Sequence, residues 1–338
     1  MLMKTKKTPL ILRIIKAIFT LILILMVVGT AATAGFVYIT IQNAPRVDID
    51  MIAPKQEATY IYDVDGQREQ KLTMENANRE IAPLSSIPVH LQHAFIAIED
   101  MRFYQHKGID PIGIVRAFVR GILRRRFSEG ASTITQQLLK NNIFVDWENE
   151  KTFIDRLKRK IQEQYLAIWL EQNVSKDRIL ENYLNTINLG EGCYGVQAAA
   201  WRYFGKDVSA LTLSESAVIA GITQNPSKYD PIRHPENNQI KQKITLDKMV
   251  EGGFISPQEE QEALEDNVYD RIQETAQTQK TSAVSVYTFY QDALITQVIE
   301  DLMEQKQYTR AQAYQTVYSG GLRIYSAQDK SIQEVCDE

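Results

Sequence analysis

The sequence predicts a mainly α-helical protein carried on one membrane-spanning segment, with a small β element, and three observations predict it. No charged residue occurs from Ala17 to Pro45. From Ile87 to about Leu264, apolar residues recur at spacings of three and four, punctuated by Gly, Pro, Asn and Ser. Of 338 residues, 44% are hydrophobic and 24% charged, a globular composition with chain enough for one large domain or two ordinary ones. The net charge of -4 argues against nucleic acid as a general partner. Cys193 and Cys336 lie far apart at no metal-ligand spacing, so free thiols are expected.

Taken in order, residues 1–16 form a cationic tail with Lys4, Lys6, Lys7, Arg13 and Lys16, and residues 17–41 form the span. About 20 apolar residues cross a bilayer, and a cationic flank stays cytoplasmic, which places the rest of the chain outside the cytoplasm. Cytosolic ATP and nicotinamide cofactors are thereby disfavoured as substrates. Ala32-Thr33-Ala34 resembles a signal-peptidase site, but an apolar core running from about Ile14 past Val28 is long for a cleaved signal. Residues 42–86 hold a β-hairpin: Tyr60 and Tyr62 alternate, Asp65-Gly66 turns, and a polar strand returns. It is expected beside the membrane.

Residues 87–264 read as a helical domain, with Ser175 capping KDRIL and Ser214 opening SESAVIA. No internal repeat is visible. Residues 265–338 begin with a polar, Gln-rich stretch to Ser282 that reads as a linker. A helix in YTFYQDALITQVIEDLMEQ and the start of a strand-containing module in SGGLRIYSAQD follow.

The polar residues are densest from Glu99 to Asn141. Beside segments apolar enough to be core, they must satisfy one another or face a substrate. Glu99 follows the apolar run VHLQHAFIAI and adjoins Asp100, two features expected to raise its pKa toward that of a general base. On residues alone, a helix-terminal carboxylate paired with Arg102 serves equally, and His106 reads as a satisfied structural histidine. Glu163 lies off the apolar face of Leu157, Ile161, Tyr165 and Ile168 and four residues after Arg159, the spacing of an ion pair worth about 0.3 kcal/mol. Thr133, Gln136, Gln137 and Lys140 recur at intervals that one helix presents together. Capping by Ser132 explains the hydroxyls but not the paired glutamines and Lys140. Arg116, Arg120 and Arg124, with Arg125 and Arg126, form a basic stripe interleaved with Phe118, Ile122, Leu123 and Phe127. It reads as a solvated face or as a segment lying in an anionic membrane interface.

Five ordered blocks carry a resemblance: EDMRFYQHKGID, EGASTITQQLLKN, RKIQEQYLAIWLE, RILENYLNTINLGEGCYGVQAAAWRYFGK and LTLSESAVIAGITQNPSKYDP. The stretch from roughly Asn43 to Leu264 resembles the glycosyltransferase domain (family 51) of class A penicillin-binding proteins, shared with monofunctional peptidoglycan glycosyltransferases. The resemblance implies a lysozyme-like helical domain that joins lipid II into glycan strands, with inversion at the anomeric carbon and release of undecaprenyl pyrophosphate. It implies Glu99 as catalytic base and Glu163 as second carboxylate, stabilising the donor sugar or holding a divalent cation (Mg2+ or Mn2+) on the pyrophosphate, with no organic cofactor. Lys140 and Arg159, with Lys160 beside it, are implied as phosphate contacts. Ser132, Thr133, Gln136, Gln137 and Asn141 add donors, and Asp100, Arg102, Phe103 and His106 share the Glu99 block as substrate-positioning residues. Glu181, Asn185 and the glycines at 190, 192 and 195 are implied on the acceptor side. The implied partners are lipid II, the growing strand, the bacterial cytoplasmic membrane and other cell-wall synthesis proteins, with no nucleic acid.

The tail SGGLRIYSAQDKSIQ resembles the start of a transpeptidase half. Without an S-x-x-K motif, no β-lactam binding or transpeptidation is expected of this chain. Two other readings are a lysozyme-type hydrolase, which also uses two carboxylates, and a membrane-tethered binding protein without chemistry. Lys140, Arg159, the basic segment and the anchor fit a lipid pyrophosphate donor better than the first, and the five-block match is left unexplained by the second.

Overall fold

The computed structural model describes residues 10–54, 58–72, 78–124, 130–144, 150–282, 288–329 and Ile332. Helix α1 (Leu10–Gln42) begins before the charge-free run, and its stretch Lys16–Gln42, at a mean hydropathy of 2.4, is long and apolar enough to cross a membrane. Strands β1 (Thr59–Tyr62) and β2 (Arg68–Leu72) form the expected antiparallel hairpin, whose turn needs the positive φ of 74° that Gly66 supplies. A two-residue strand β3 (Asn78–Arg79) leads into the helical domain.

The domain is built from α2 (Val89–Glu99), α3 (Pro111–Arg124), α4 (Ile134–Asn142), α5 (Phe153–Asn173) and α6 (Lys176–Leu184). After β4 (Cys193–Tyr194), parallel to β3, come α7 (Val196–Phe204), α8 (Leu213–Gly221), α9 (Pro235–Glu251), α10 (Pro257–Glu265) and α11 (Val268–Ser282). Its centre is α2, whose Leu91, Ala94 and Phe95 are fully buried and which packs on α8 and α9. Ser175 caps α6 as expected, accepting from the Arg178 amide. The cap of α8 is Thr212, boxed with Glu215, while Ser214 lies inside the helix and accepts from Gln242. The two hydroxyls stand only two residues apart, so either one fits the capping pattern in the sequence.

Two expectations need correction. Residues 265–282 are not a linker: Val268, Ile272 and Ala276 recur every four residues, are buried, and dock α11 onto the domain core. Gln and Thr on its outer face dilute that stripe in the sequence. The hairpin, in turn, forms a sheet with the chain's far end: β1 pairs in parallel with β5 (Arg323–Tyr325), giving the order β2-β1-β5. Helices α12 (Phe289–Lys306) and α13 (Arg310–Ser319) cover it, closing a second core around Ile61, Leu72, Ile295, Val317 and Ile324. An isolated two-stranded hairpin is marginal in water, and the inward Ile61 and Leu72 required such a cover. Cys193 is a buried free thiol, and Cys336 lies outside the described residues.

Ile272 has no exposed surface. Ile272→Ala is expected to destabilise the helical domain by about 2–5 kcal/mol, read by thermal unfolding in detergent; a linker residue would leave the transition unmoved.

Candidate active site

Helix α2 ends at Glu99, and the next residue breaks the helix with φ -156° and ψ 69°, so the adjacent carboxylates point different ways. Asp100 turns inward. Only 6% exposed, it accepts from His106 Nε2 at 2.8 Å and from the Ile134 amide at 3.0 Å. Ile134 is the first residue of α4, so a buried anion sits on a helix N-terminus, where the backbone amides and the dipole favour it. Gly108, at φ 87°, packs so tightly on α5 that a Cβ would come within 2.5 Å of the Ala167 backbone, and its carbonyl accepts from Thr133 Oγ1 at 2.8 Å. The loop after α2 therefore grips the start of α4 at two points.

Glu99 faces a cleft of about 310 Å³ whose wall includes Gln137, Arg116, Arg120, Gln224, Lys241 and Lys248. One of its carboxylate oxygens accepts from Gln137 Nε2 at 2.7 Å and the other from the Thr223 hydroxyl. Tyr183 donates to Gln137 Oε1 at 3.4 Å, which sets the amide's orientation. The carboxylate is thus held by neutral donors, the arrangement of a positioned base. The pairing with Arg102 does not form: Arg102 binds Asp110, which caps α3 through the Gly113 amide at 2.9 Å.

On the far side of α4, Glu163 is 1% exposed and is clasped by Arg159 and by Lys160, the latter at 3.0 Å. Lys160 also donates to Ser132 Oγ at 2.7 Å, tying α5 to the residues just before α4. Burial pushes the Arg159 guanidinium's pKa down, but Glu150, at 2.8 Å, and Glu163 more than reverse this, so it rises above the ordinary range. Lys140, in the last turn of α4, goes the other way. Burial lowers its pKa, opposed by Glu163, reinforced by Arg159 and Lys160, and opposed again by Glu99. Lys140 is therefore the cation that feels both carboxylates.

The expected site residues fall into two groups. Glu99, Asp100, Ser132, Thr133 and Gln137 all contribute to the cleft wall; Glu163, Arg159 and Lys160 form a cation-rich cluster tied to it through Ser132, with Lys140 in the last turn of α4. The remaining contacts of these residues lie within the protein. Asp100 and His106 satisfy each other, Phe103 is fully buried in the core, and Arg102 holds Asp110. Thr133 and Gln136 spend their side chains on the capping box of α4, and Asn141 is half-buried at its end. Of the two features expected to act on Glu99, the Asp100 charge is already bound by His106 and the amide of Ile134. Asn185 and Glu181 fasten the segment at Ala82 and Leu84 to α6, and a Cβ on Gly195 would meet Asn185 O at 2.9 Å.

Helix α3 inverts the expected stripe. Arg116 and Arg120 line the cleft, while Ile112, Val115, Phe118 and Ile122 are exposed by 63%, 61%, 59% and 55%, the last three turned away from the arginines by the helical rotation. Arg125, Arg126 and Phe127 lie outside the described residues. Gln224, read from the sequence as a helix-ending residue, is on the cleft wall; Thr223, Lys241 and Lys248 were missed. Thr223 lies inside the fifth block, in a turn after α8 where nothing local marks it as facing Glu99, but Lys241 and Lys248, seven residues apart on one helix, share a face that the sequence does display.

Glu163 does not fit a metal ligand here, because both of its oxygens are already taken by cationic side chains. Among the described residues no group of three His, Cys, Asp or Glu has metal-binding geometry.

A family model described as Transglycosylase matches residues 65–250. Penicillin-binding protein 1A of Clostridium tetani is 37% identical over 328 residues, covering 94% of this chain and 40% of that protein. The protein of the same name from Clostridium perfringens strain 13 is 37% identical over 331 residues, with 95% and 47% covered. Penicillin-binding protein 1A/1B of Bacillus subtilis is 35% identical over 324 residues, with 96% and 33% covered. The chain thus spans less than half the length of these relatives. A crystal structure of penicillin-binding protein 1A from Haemophilus influenzae matches with a TM-score of 0.39 and 21% identity, over 83% of this chain and 28% of that one.

Asp100→Ala strips a buried partner from both His106 and the α4 amide. It is expected to cost about 3 kcal/mol or more in unfolding free energy, measured by denaturant titration in detergent. A loss below about 1 kcal/mol would show that Asp100 does not buttress α4.

Proposed function

The chain belongs to the transglycosylase family, and from that premise we propose that it is a peptidoglycan glycosyltransferase that polymerises lipid II into glycan strands. The observation that carries this is an oriented carboxylate, Glu99, held by Gln137 of α4, with a buried carboxylate–cation cluster around Glu163 on the helix packed against it and Lys140 in the last turn of α4. Such a site has a base on one side and fixed positive charge on the other.

The acceptor's 4-hydroxyl oxygen attacks the anomeric carbon of the growing strand while its proton passes to Glu99. The bond from that carbon to the pyrophosphate oxygen breaks, and the electron pair leaves with undecaprenyl pyrophosphate. Attack opposite to departure inverts the centre. Lys140 and Arg159 stabilise the charge developing on the leaving group, so no strong general acid is required. Glu163 acts through Arg159 and Lys160, holding their cationic groups at one fixed place. A divalent cation, if the reaction uses one, rides on the substrate's pyrophosphate.

In this reading α1 anchors the protein in the cytoplasmic membrane with its cationic tail inside and the helical domain outside. The outward apolar side chains of α3 rest in the bilayer surface, where the undecaprenyl tails remain, while Arg116 and Arg120 face the headgroups entering the cleft. Other cell-wall synthesis proteins are the expected company.

Given lipid II in detergent or bilayers, the purified chain should build glycan strands and release undecaprenyl pyrophosphate, and Glu99→Gln should abolish this with the fold intact. Cleavage of finished peptidoglycan without polymerisation would identify a hydrolase instead. Glu163→Gln should slow turnover at least about tenfold, or 1.4 kcal/mol of barrier; a rate within about twofold of the parent would remove Glu163 from the mechanism.

The pH dependence supplies a separate check. Lys140 works as a cation, and its lowered pKa means that charge is lost as pH rises through a value below the ordinary 10.5. The alkaline limb of the rate profile should therefore fall early. Lys140→Arg keeps its charge and should move the limb upward; an unmoved limb assigns it to another group.

A further inference from the structure

We propose that the membrane anchor is a working part of the active-site framework, fastened to it by Gln162, a positioning residue that sets where α5 stands relative to the bilayer. The kinetic consequence rests on the glycosyltransferase reading above.

The last carbonyls of a helix have no partner within it. At the end of α1, Thr40 O in its last turn and Asn43 O just beyond it both accept from one side-chain donor, Gln162 Nε2, at 3.0 and 3.1 Å. Water would satisfy those carbonyls equally well at an exposed helix end, so a shared protein donor marks a docked one. The burial pattern agrees. The described side chains from Lys16 to Gly35 are exposed, yet Thr40 is 4% exposed where α1 meets α5.

Gln162 is the residue before Glu163 and lies within a turn of Arg159. Successive side chains of a helix point about 100° apart, so Gln162 can reach the anchor while Glu163 faces α4. From there the contacts run without a gap. Glu163 holds Arg159 and Lys160; Lys160 reaches Ser132 at the start of α4; Gln137 of α4 reaches Glu99. A substrate held by its lipid tail offers its pyrophosphate at a fixed height above the membrane. The anchor is the chain's own reference for that height. One residue of slip along a helix is about 1.5 Å, and misplacement on the order of 1 Å costs about a hundredfold in rate. A clasp between anchor and α5 keeps Arg159 and Lys160 level with the group they bind.

The isosteric Gln162→Glu tests this, since it removes the donor and turns an anion toward two carbonyls, whereas Gln162→Arg still donates to them. The full chain is placed in bilayer discs of phosphatidylglycerol and phosphatidylethanolamine. Nitroxides go on Tyr38→Cys and Lys158→Cys, with Cys336→Ser and the buried Cys193 retained. In Gln162→Glu the distance distribution between α1 and α5 should broaden and kcat/KM for lipid II should fall about tenfold, with the thermal midpoint of the helical domain unchanged. Gln162→Arg should restore both to within about threefold of the parent. Parental turnover in Gln162→Glu overturns the proposal, as does a loss of turnover with the distance unchanged, or one that follows a falling thermal midpoint. If the parent makes no polymer, the glycosyltransferase reading has failed. The distance distributions then decide the clasp alone, and an unbroadened one overturns it.

Discussion

The site depends on one buried charge. Asp100 places a carboxylate against the first amide of α4 and against His106, at 3.0 and 2.8 Å. A buried carboxylate is expensive unless its lone pairs are met, and here the helix N-terminus and an imidazole meet them. Beyond His106 the network continues to Lys176, whose Nζ lies 3.4 Å from Nδ1 and pairs with Glu171 at 2.8 Å. Burial lowers the Lys176 pKa against the pull of Glu171 and Asp100. The start of α4 is thereby fixed in direction, and every polar group α4 presents later, from Gln137 to Lys140, inherits that direction.

Much of this was legible in the sequence, and where it was not the reasons are physical. The anchor, the hairpin and the helices announce themselves through charge-free length and periodicity, signals that are local. The docking of α11 was not legible because four apolar positions in fifteen residues, Val268, Tyr269, Ile272 and Ala276, are too sparse to outweigh a polar composition. The partner of the hairpin is more than 250 residues away, and no local pattern names it. Glu99 was legible as a carboxylate at the end of an apolar helix. Its neighbours were not sorted, because whether Asp100, Phe103 and His106 face substrate or core depends on a break in the helix at one residue, which composition does not reveal. Thr223 reaches Glu99 only through tertiary packing.

The electrostatics follow one rule, in which each buried carboxylate is matched by donors before substrate arrives. Glu163 has Arg159 and Lys160, Asp100 has an amide and a histidine, and the half-buried Glu99 has two neutral donors, Gln137 and Thr223. That difference assigns the roles. A carboxylate bound by a guanidinium is a poor proton acceptor, since protonation would strand the cation, whereas one held by an amide and a hydroxyl can accept a proton without breaking an ion pair. This is the ground on which Glu99 is proposed as the base, independently of where it lies in the chain.

Adjacent residues with opposite duties recur at both ends of the site. Glu99 faces the cleft and Asp100 the core; Glu163 faces α4 while Gln162 faces the anchor. In each pair one residue is proposed to serve the chemistry and its neighbour ties the same backbone to something rigid. A reacting group is only as well placed as the peptide unit that carries it, and the closest point at which that unit can be held is one residue away. The helical rotation makes this cheap, since consecutive side chains leave the axis in different directions without any distortion of the backbone. The same economy appears on α3, where Arg116 and Arg120 line the cleft and Phe118, half a turn from each, is exposed on the other side. The lipid-linked substrate proposed above would need apolar and charged surfaces within a few ångströms, and a helix can supply both on opposite faces.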